Sequence, residues 1–318
     1  MTSTIPQNAV EQPGPIPEDS LPFFLGLEHV LKTSGMCVDS PLVLRWIMRG
    51  GSLQTLALRF LRLKFTPMLL GRIRGLSAEL STRSALFTQA ISYINARETY
   101  KTTGLDRTRL ADAAVLRGIQ GVPAPRLLEV GVSDGVSCIR LLESLPADAV
   151  AELTDRHPYF YRKGLPFACL LADADGRLLG LKLPLFYLNL PLSVTFDTAS
   201  WARIETINPI LPESLGINVI RPFDVRWGRA TAPVHAIKCA NVFNRHYFPD
   251  QVIRAATANL GESLLEGGIL VISQNNARYP GGEAYFVLRK TGGRLVLEEK
   301  QGGHEALELF QADGESRA

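Results

Sequence analysis

Residues 126–145, RLLEVGVSDGVSCIRLLESL, constrain this chain more than any other stretch. An apolar run ends at Val130, a loop carries Gly131 and Gly135, and Ile139, Leu141, Leu142 and Leu145 recur at helical spacing. The pattern reads strand, glycine loop, amphipathic helix. Glycines at such a turn allow positive φ and let a ligand approach the main chain. The free N–H groups and dipole of the following helix favour anionic parts of that ligand. In open α/β sheets, ligands rest outside the carboxyl ends of the strands, where the strand order switches. The spacing is not the GxGxxG of a dinucleotide loop, and no Gly-Lys-Ser/Thr ending marks a phosphate loop.

The sequence beyond Pro125 supports a sheet of this kind. Short apolar runs rich in β-branched residues fall at 126–130, 150–154, 217–220, 234–240, 269–273, 285–289 and 294–299, and helical patterns separate most of them. Alternation of that sort predicts βαβ units and a mostly parallel sheet. Only Lys290-Thr-Gly-Gly293 divides the last two runs, which is too short for a crossover, so they pair as an antiparallel hairpin. The 156–216 gap is far longer than one crossover helix needs. It holds its own hairpin signal, with Asp173-Ala-Asp-Gly176 as the turn, and the apolar stretch KLPLFYLNLPLSV. It is expected to be an insertion after the second strand, with strands of its own.

Glu129-Val-Gly131-Val-Ser133-Asp-Gly135 resembles the E/D-x-G-x-G-x-G loop of class I S-adenosylmethionine-dependent methyltransferases, with Ser133 in place of the central glycine. The resemblance runs over about residues 125–301, apart from the insertion. It implies an α/β fold with a seven-stranded, mostly parallel, Rossmann-like sheet whose last strand is antiparallel. It implies S-adenosylmethionine as cofactor. Gly131, Ser133 and Gly135 would seat the methionine end and Glu129 would support the loop. Asp155, at the end of the second strand, would hold the ribose. Asp224, after the third, would meet the adenine, with Phe223 and Val225 as walls. Residues 234–273 are closest in texture to chemotaxis-receptor methyltransferases. Ala240-Asn241 stands where that subgroup has Arg-Asn, and Tyr247-Phe248 follows; the missing arginine argues against that substrate. Asn241, His246 and Tyr247 then fall next to the transferred methyl. Transfer from a sulfonium is an in-line displacement that depends chiefly on alignment, and His246 could serve as base for a hydroxyl acceptor. His246 and Tyr247 read equally well as cap or core residues.

The implied activity is methyl transfer to a small-molecule or lipid-like acceptor. A catalytically inactive scaffold of the same fold, or a peripheral membrane-binding protein, are the alternatives. Residues 1–20 are Pro-rich and polar and read as a flexible tail, residues 21–120 as a helical region, 121–305 as the cofactor-binding domain and 306–318 as a second tail.

Charge is unevenly spread. Over residues 41–110, twelve bases face three acids, although the whole chain carries only +3. Such a region suits an anionic membrane surface or an acidic carrier, or else its arginines are simply solvated. It contains no recognised nucleic-acid module, so no specific nucleic-acid partner is expected. Four scattered cysteines, with no CxxC pair, point away from zinc and disulfides and towards a reducing, cytoplasmic setting, with no metal site. The first residues lack the basic and apolar regions of a secretory signal, and no run of ~18 apolar residues predicts a spanning helix.

Overall fold

The computed structural model describes residues 34–54, 56, 63–96, 99–101, 103–190 and 194–315. The expected N-terminal tail lies outside them. The described residues open with strand β1 (Gly35–Met36) and helices α1 (Pro41–Met48), α2 (Met68–Arg74) and α3 (Leu80–Tyr93). A short hairpin, β2 (Asn95–Ala96) and β3 (Thr99–Tyr100), leads to α4 (Arg109–Gly118). Next come β4 (Arg126–Val130), α5 (Ile139–Ser144) and β5 (Val150–Asp155). The insertion supplies β6 (Tyr159–Leu165), β7 (Ala168–Ala172), β8 (Leu178–Lys182), β9 (Phe186–Asn189) and β10 (Ala202–Glu205). The chain then runs through α6 (Ile210–Leu215), β11 (Arg221–Pro222), β12 (Val234–Ala240), α7 (Asp250–Glu262) and β13 (Leu264–Asn275). It closes with β14 (Glu283–Thr291), β15 (Arg294–Gln301) and α8 (Glu308–Glu315).

Seven strands form a mixed sheet in the order β11-β5-β4-β12-β13-β14-β15. The first four pairings are parallel and the last two antiparallel. The order is that of a doubly wound sheet, and its switch point lies between β4 and β12. The expected antiparallel last strand needs correction: β14 is the reversed strand, and β15 again points with the first five. The cause is the length of a connection. Seven residues, 276–282, join β13 to β14, too few for a crossover, which needs about a dozen.

Helices cover both faces. On one, Ala111, Ala114 and Val115 of α4 pack with Leu127, Ala236, Ile269 and Val287 of the sheet. On the other, Ile253, Ala256 and Leu260 of α7 meet Leu128, Ile237, Leu270 and Phe286. Each Val, Leu, Ile or Phe among them contributes about 1.5–3 kcal/mol on burial, the alanines less. Ala306 and Leu307, just before α8, and Leu309 within it join the second core, so residues 306–315 are not the tail expected of 306–318.

The insertion and the N-terminal helices build one further body. Its sheet runs β1-β9-β8-β7-β6-β10, so the N-terminal β1 completes the insertion. Leu44, Ile47, Leu69, Ile73, Phe87 and Ile91 of α1–α3 bury against Phe160, Leu171, Leu179 and Ile204 of its strands. The region 21–120 is thus divided: α1–α3 belong to this body, whereas α4 packs on the main sheet. Among the described residues no helix is long and apolar enough to cross a membrane.

Candidate functional site

The loop after β4 is built by backbone constraints. Gly131, Ser133 and Gly135 have φ of 76°, 60° and 84°, the left-handed region that Ser133 occupies only at a cost. The N–H groups of Gly131 and Val132 both donate to the Thr154 carbonyl, at 2.8 and 3.0 Å, lacing the loop to the end of β5. The next N–H, that of Ser133, donates to the Asp155 carboxylate at 2.7 Å. The acid at the end of the second strand therefore turns onto the glycine loop. Its other oxygen accepts from the His157 N–H at 2.9 Å and from the Lys101 ammonium in a buried ion pair. Burial alone would raise the Asp155 pKa, but Lys101 and the two N–H donors outweigh it and hold the carboxyl below its usual range.

Buried Asp134 fastens this loop to the second body. Its carboxylate accepts from Thr88 of α3 at 2.9 Å and from the Asn208 amide at 3.1 Å, and its carbonyl accepts from the Asn208 N–H at 2.9 Å. The faces of the two glycines are filled. A Cβ on Gly131 would stand 2.4 Å from Val242 Cγ2, and one on Gly135 would stand 2.9 Å from Leu211 Cδ2. The Ser133 hydroxyl is buried and without a hydrogen-bond partner among the described residues.

Glu129 sits elsewhere. It lies directly across from Lys238 in the β4–β12 pairing, and their side chains meet inside the molecule at 3.2 Å. Lys238 also reaches Asp112 of α4 at 2.6 Å, and the Cys138 thiol donates to Glu129 at 3.4 Å. Its contacts are with this buried cluster, one strand position before the loop.

Asp224 is a neighbour of Asp155 through β11, where the Phe223 N–H donates to the Asp155 carbonyl at 2.9 Å. Its carboxylate is claimed by Arg156 and by Arg226, whose Nε lies 2.9 Å away. Burial pushes its pKa up, but the hydrogen bonds from Arg226 and the charge of Arg156 bring it below the usual range. Phe223 and Val225 are buried in the core.

Asn241 closes β12 at the switch point with φ 59°. Its amide exchanges two hydrogen bonds with Asn275 at the end of β13, at 2.7 and 2.8 Å. His246 and Tyr247 lie on the exposed turn before α7, edge to face at 5.4 Å. The structure therefore brings Gly131, Ser133, Gly135 and Asp155 together, with Asn241 across the switch and Asp224 one strand away. Beside the turn, a groove of about 530 Å³ opens at the same edge of the sheet. Arg245, Arg278, Tyr279 and Glu305 line it, beyond the carboxyl ends of β12, β13 and β15.

Sequence reasoning missed Lys101, Thr88, Asn208, Leu211 and Val242. Only Lys101 left a trace, as one of the twelve bases of residues 41–110. Nothing local marks it as the partner of an acid 54 positions away.

No family model matches the chain, and no curated protein matches it. Solved structures with a similar arrangement include a protein-L-isoaspartate O-methyltransferase, 14% identical over 83% of this chain and 64% of its own, at a TM-score of 0.34. A S-adenosylmethionine-dependent methyltransferase from Clostridium acetobutylicum is 10% identical over 65% and 79%, at 0.34. The O-methyltransferase NcsB1 from neocarzinostatin biosynthesis, solved with S-adenosyl-L-homocysteine and 1,4-dihydroxy-2-naphthoic acid, is 13% identical over 81% and 53%, at 0.32. This chain thus spans less than two thirds of the length of the first and the third. What bears on this chain itself is its strand order and the loop at its switch point.

Proposed function

We propose that this chain binds S-adenosylmethionine over the Gly131–Gly135 loop and methylates a small-molecule or lipid-like acceptor. One observation carries the reading: the Asp155 carboxylate accepts from the Ser133 N–H at the switch in strand order. That puts an acid able to bond two ribose hydroxyls against the loop that would receive the methionine end. The unpartnered Ser133 hydroxyl supplies a further polar atom there. Phe223 and Asp224 stand on the adenine side. When bound, the cofactor supplies an electrophilic methyl group on a sulfonium.

The chain's own residues must position, shield and, for a hydroxyl acceptor, take up a proton. Lys101, now on Asp155, would have to release that carboxylate for it to hold a ribose. The groove of Arg245, Arg278 and Tyr279 orients the acceptor, and His246 on the adjoining turn is the base.

A second reading is a scaffold of this fold without turnover. Lys101 on Asp155, two guanidinium groups on Asp224, and Val242 and Leu211 against the glycines favour it, because each occupies a place a nucleoside needs.

Calorimetric titration with S-adenosylhomocysteine separates the two. The methyltransferase reading expects micromolar binding by the wild type, tighter binding by Lys101→Ala, and none by Asp155→Ala. No binding by either wild type or Lys101→Ala leaves only the scaffold.

A further inference from the structure

The hairpin between β8 and β9 ends in a tight turn, where the Leu183 N–H donates to the Phe186 carbonyl at 2.7 Å. The turn turns apolar side chains outward: Leu185 is 69% exposed and Phe186 52%. Met36 lies directly opposite Phe186 in the β1–β9 pairing and is 38% exposed. The Cys37 N–H, donating to the Leu185 carbonyl at 2.8 Å, ties the two segments together. Leu42, in the first turn of α1, is 72% exposed.

Pro184, Cys37 and Val43, the chain neighbours of Leu185, Met36 and Leu42, line one cavity of about 270 Å³. Ser40 just before α1 and Val43 within it line the cavity, with Pro184 from the hairpin and Arg72 and Lys182 from the body. The buried acid Asp39 pins both cations: its carboxylate lies 3.2 Å from the Lys182 ammonium, and its carbonyl accepts from Arg72 Nη1 at 3.0 Å. The Thr66 hydroxyl takes the other carboxylate oxygen at 2.6 Å. One acid for two cations leaves the cavity positive. Along the sequence, residues 41–74 contain seven bases and no acid. Arg74 does not face this surface; it is turned inward over the Phe87 ring, at 5.3 Å, and donates to the Ile207 carbonyl. Arg59 and Arg62, two more of the seven, lie outside the described residues.

Large apolar side chains gathered at the surface mark a docking site. Here they adjoin, in the chain, residues that line a cationic cavity, so the partner must offer apolar depth and negative charge side by side. A phosphate backbone has the charge without the apolar depth. We propose that this face docks on a bilayer containing anionic phospholipid. Leu185, Phe186, Met36 and Leu42 enter the interface, and Arg72 and Lys182 face the lipid phosphate. The inference stands whether or not the glycine loop binds a nucleoside.

The test is sedimentation of the full chain with phosphatidylcholine vesicles, with and without phosphatidylglycerol. Binding is expected only with phosphatidylglycerol, and weakens as salt rises. The double substitution Leu185→Asp with Phe186→Asp abolishes it at an unchanged melting temperature, and Arg72→Gln weakens it roughly fivefold. Equal binding to both vesicle types, binding to neither, or binding indifferent to both variants overturns the proposal. So does self-association that the double variant abolishes while vesicles are ignored, which makes a second copy the occupant. Binding of inorganic phosphate in the cavity without vesicle binding also overturns it.

Discussion

His304 shows how a single side chain ties stability to pH. Its Nδ1 accepts from the Ala306 N–H at 3.1 Å, and its ring stands edge-on to Phe286 at 5.1 Å. Burial favours the neutral ring and pushes its pKa from 6.5 down to about 4. Between those values the unfolded chain binds a proton that the folded chain refuses. Stability is therefore complete above pH 6.5 and falls as pH drops towards 4, by on the order of 3 kcal/mol from this group. His304→Asn keeps an acceptor for Ala306 and removes the titration. Urea unfolding across that range should show a flatter slope in the variant than in the wild type. Asp155 acts in a lower window. Its folded pKa lies below 3.8, so its contribution is present above that value and is lost as pH falls through the folded one. The sequence singled out Asp155 because strand-end acids have a place in a readable pattern. His304 could not be singled out, because its role depends on a ring 18 residues away across the core.

At the scale of elements, turns were more legible than directions. The Asp173-Ala-Asp-Gly176 turn forms as expected. The Asp173 carboxylate accepts from the Asp175 and Arg177 N–H groups at 3.0 and 2.9 Å. Gly176 has φ 77°, and a Cβ there would lie 2.5 Å from the Phe196 carbonyl oxygen. Gly176→Ala should thus destabilise the protein by roughly 1–3 kcal/mol, with thermal melting as the measure, because it adds left-handed strain to a backbone clash. The glycine loop after β4 was legible for the same reason: glycine and short-range spacing carry the signal. The reversed β14 was not, since the direction of a strand depends on the length of the connection before it and on the neighbour it finds. The third parallel strand also fell a few positions later than its apolar run, at Arg221–Pro222 rather than 217–220.

Across the whole molecule, the ion cluster of Lys238, Glu129 and Asp112 joins β12, β4 and α4. Burial alone would lower the Lys238 pKa, but the carboxylates outweigh it and hold the ammonium above its usual range. Removing the cation leaves two buried carboxyls unmatched. Lys238→Met should cost roughly 3–5 kcal/mol in chemical denaturation, and adding Glu129→Gln should recover part of that loss. The second body has its own fasteners to the main sheet. Arg83 of α3 grips Glu213 of α6 through two nitrogens, at 2.9 and 2.7 Å, and the Asp134 carboxylate holds both Thr88 and Asn208. These contacts put α3 over the glycine loop, so anything that loosens the second body alters access to Asp155.

The sequence by itself determined the strand–glycine–helix loop, the alternation that makes a doubly wound sheet, the insertion and its turn. All of these rest on local signals: side-chain periodicity, glycine dihedrals and the number of residues between runs. Only the tertiary structure decided that β1 completes the sheet of the insertion, that Lys101 sits on Asp155, that Glu129 faces Lys238, and that Val43, Arg72 and Lys182 line one cavity. Each of these joins residues distant in the chain. Their pairing is selected by packing and desolvation in three dimensions, which no spacing along one dimension encodes.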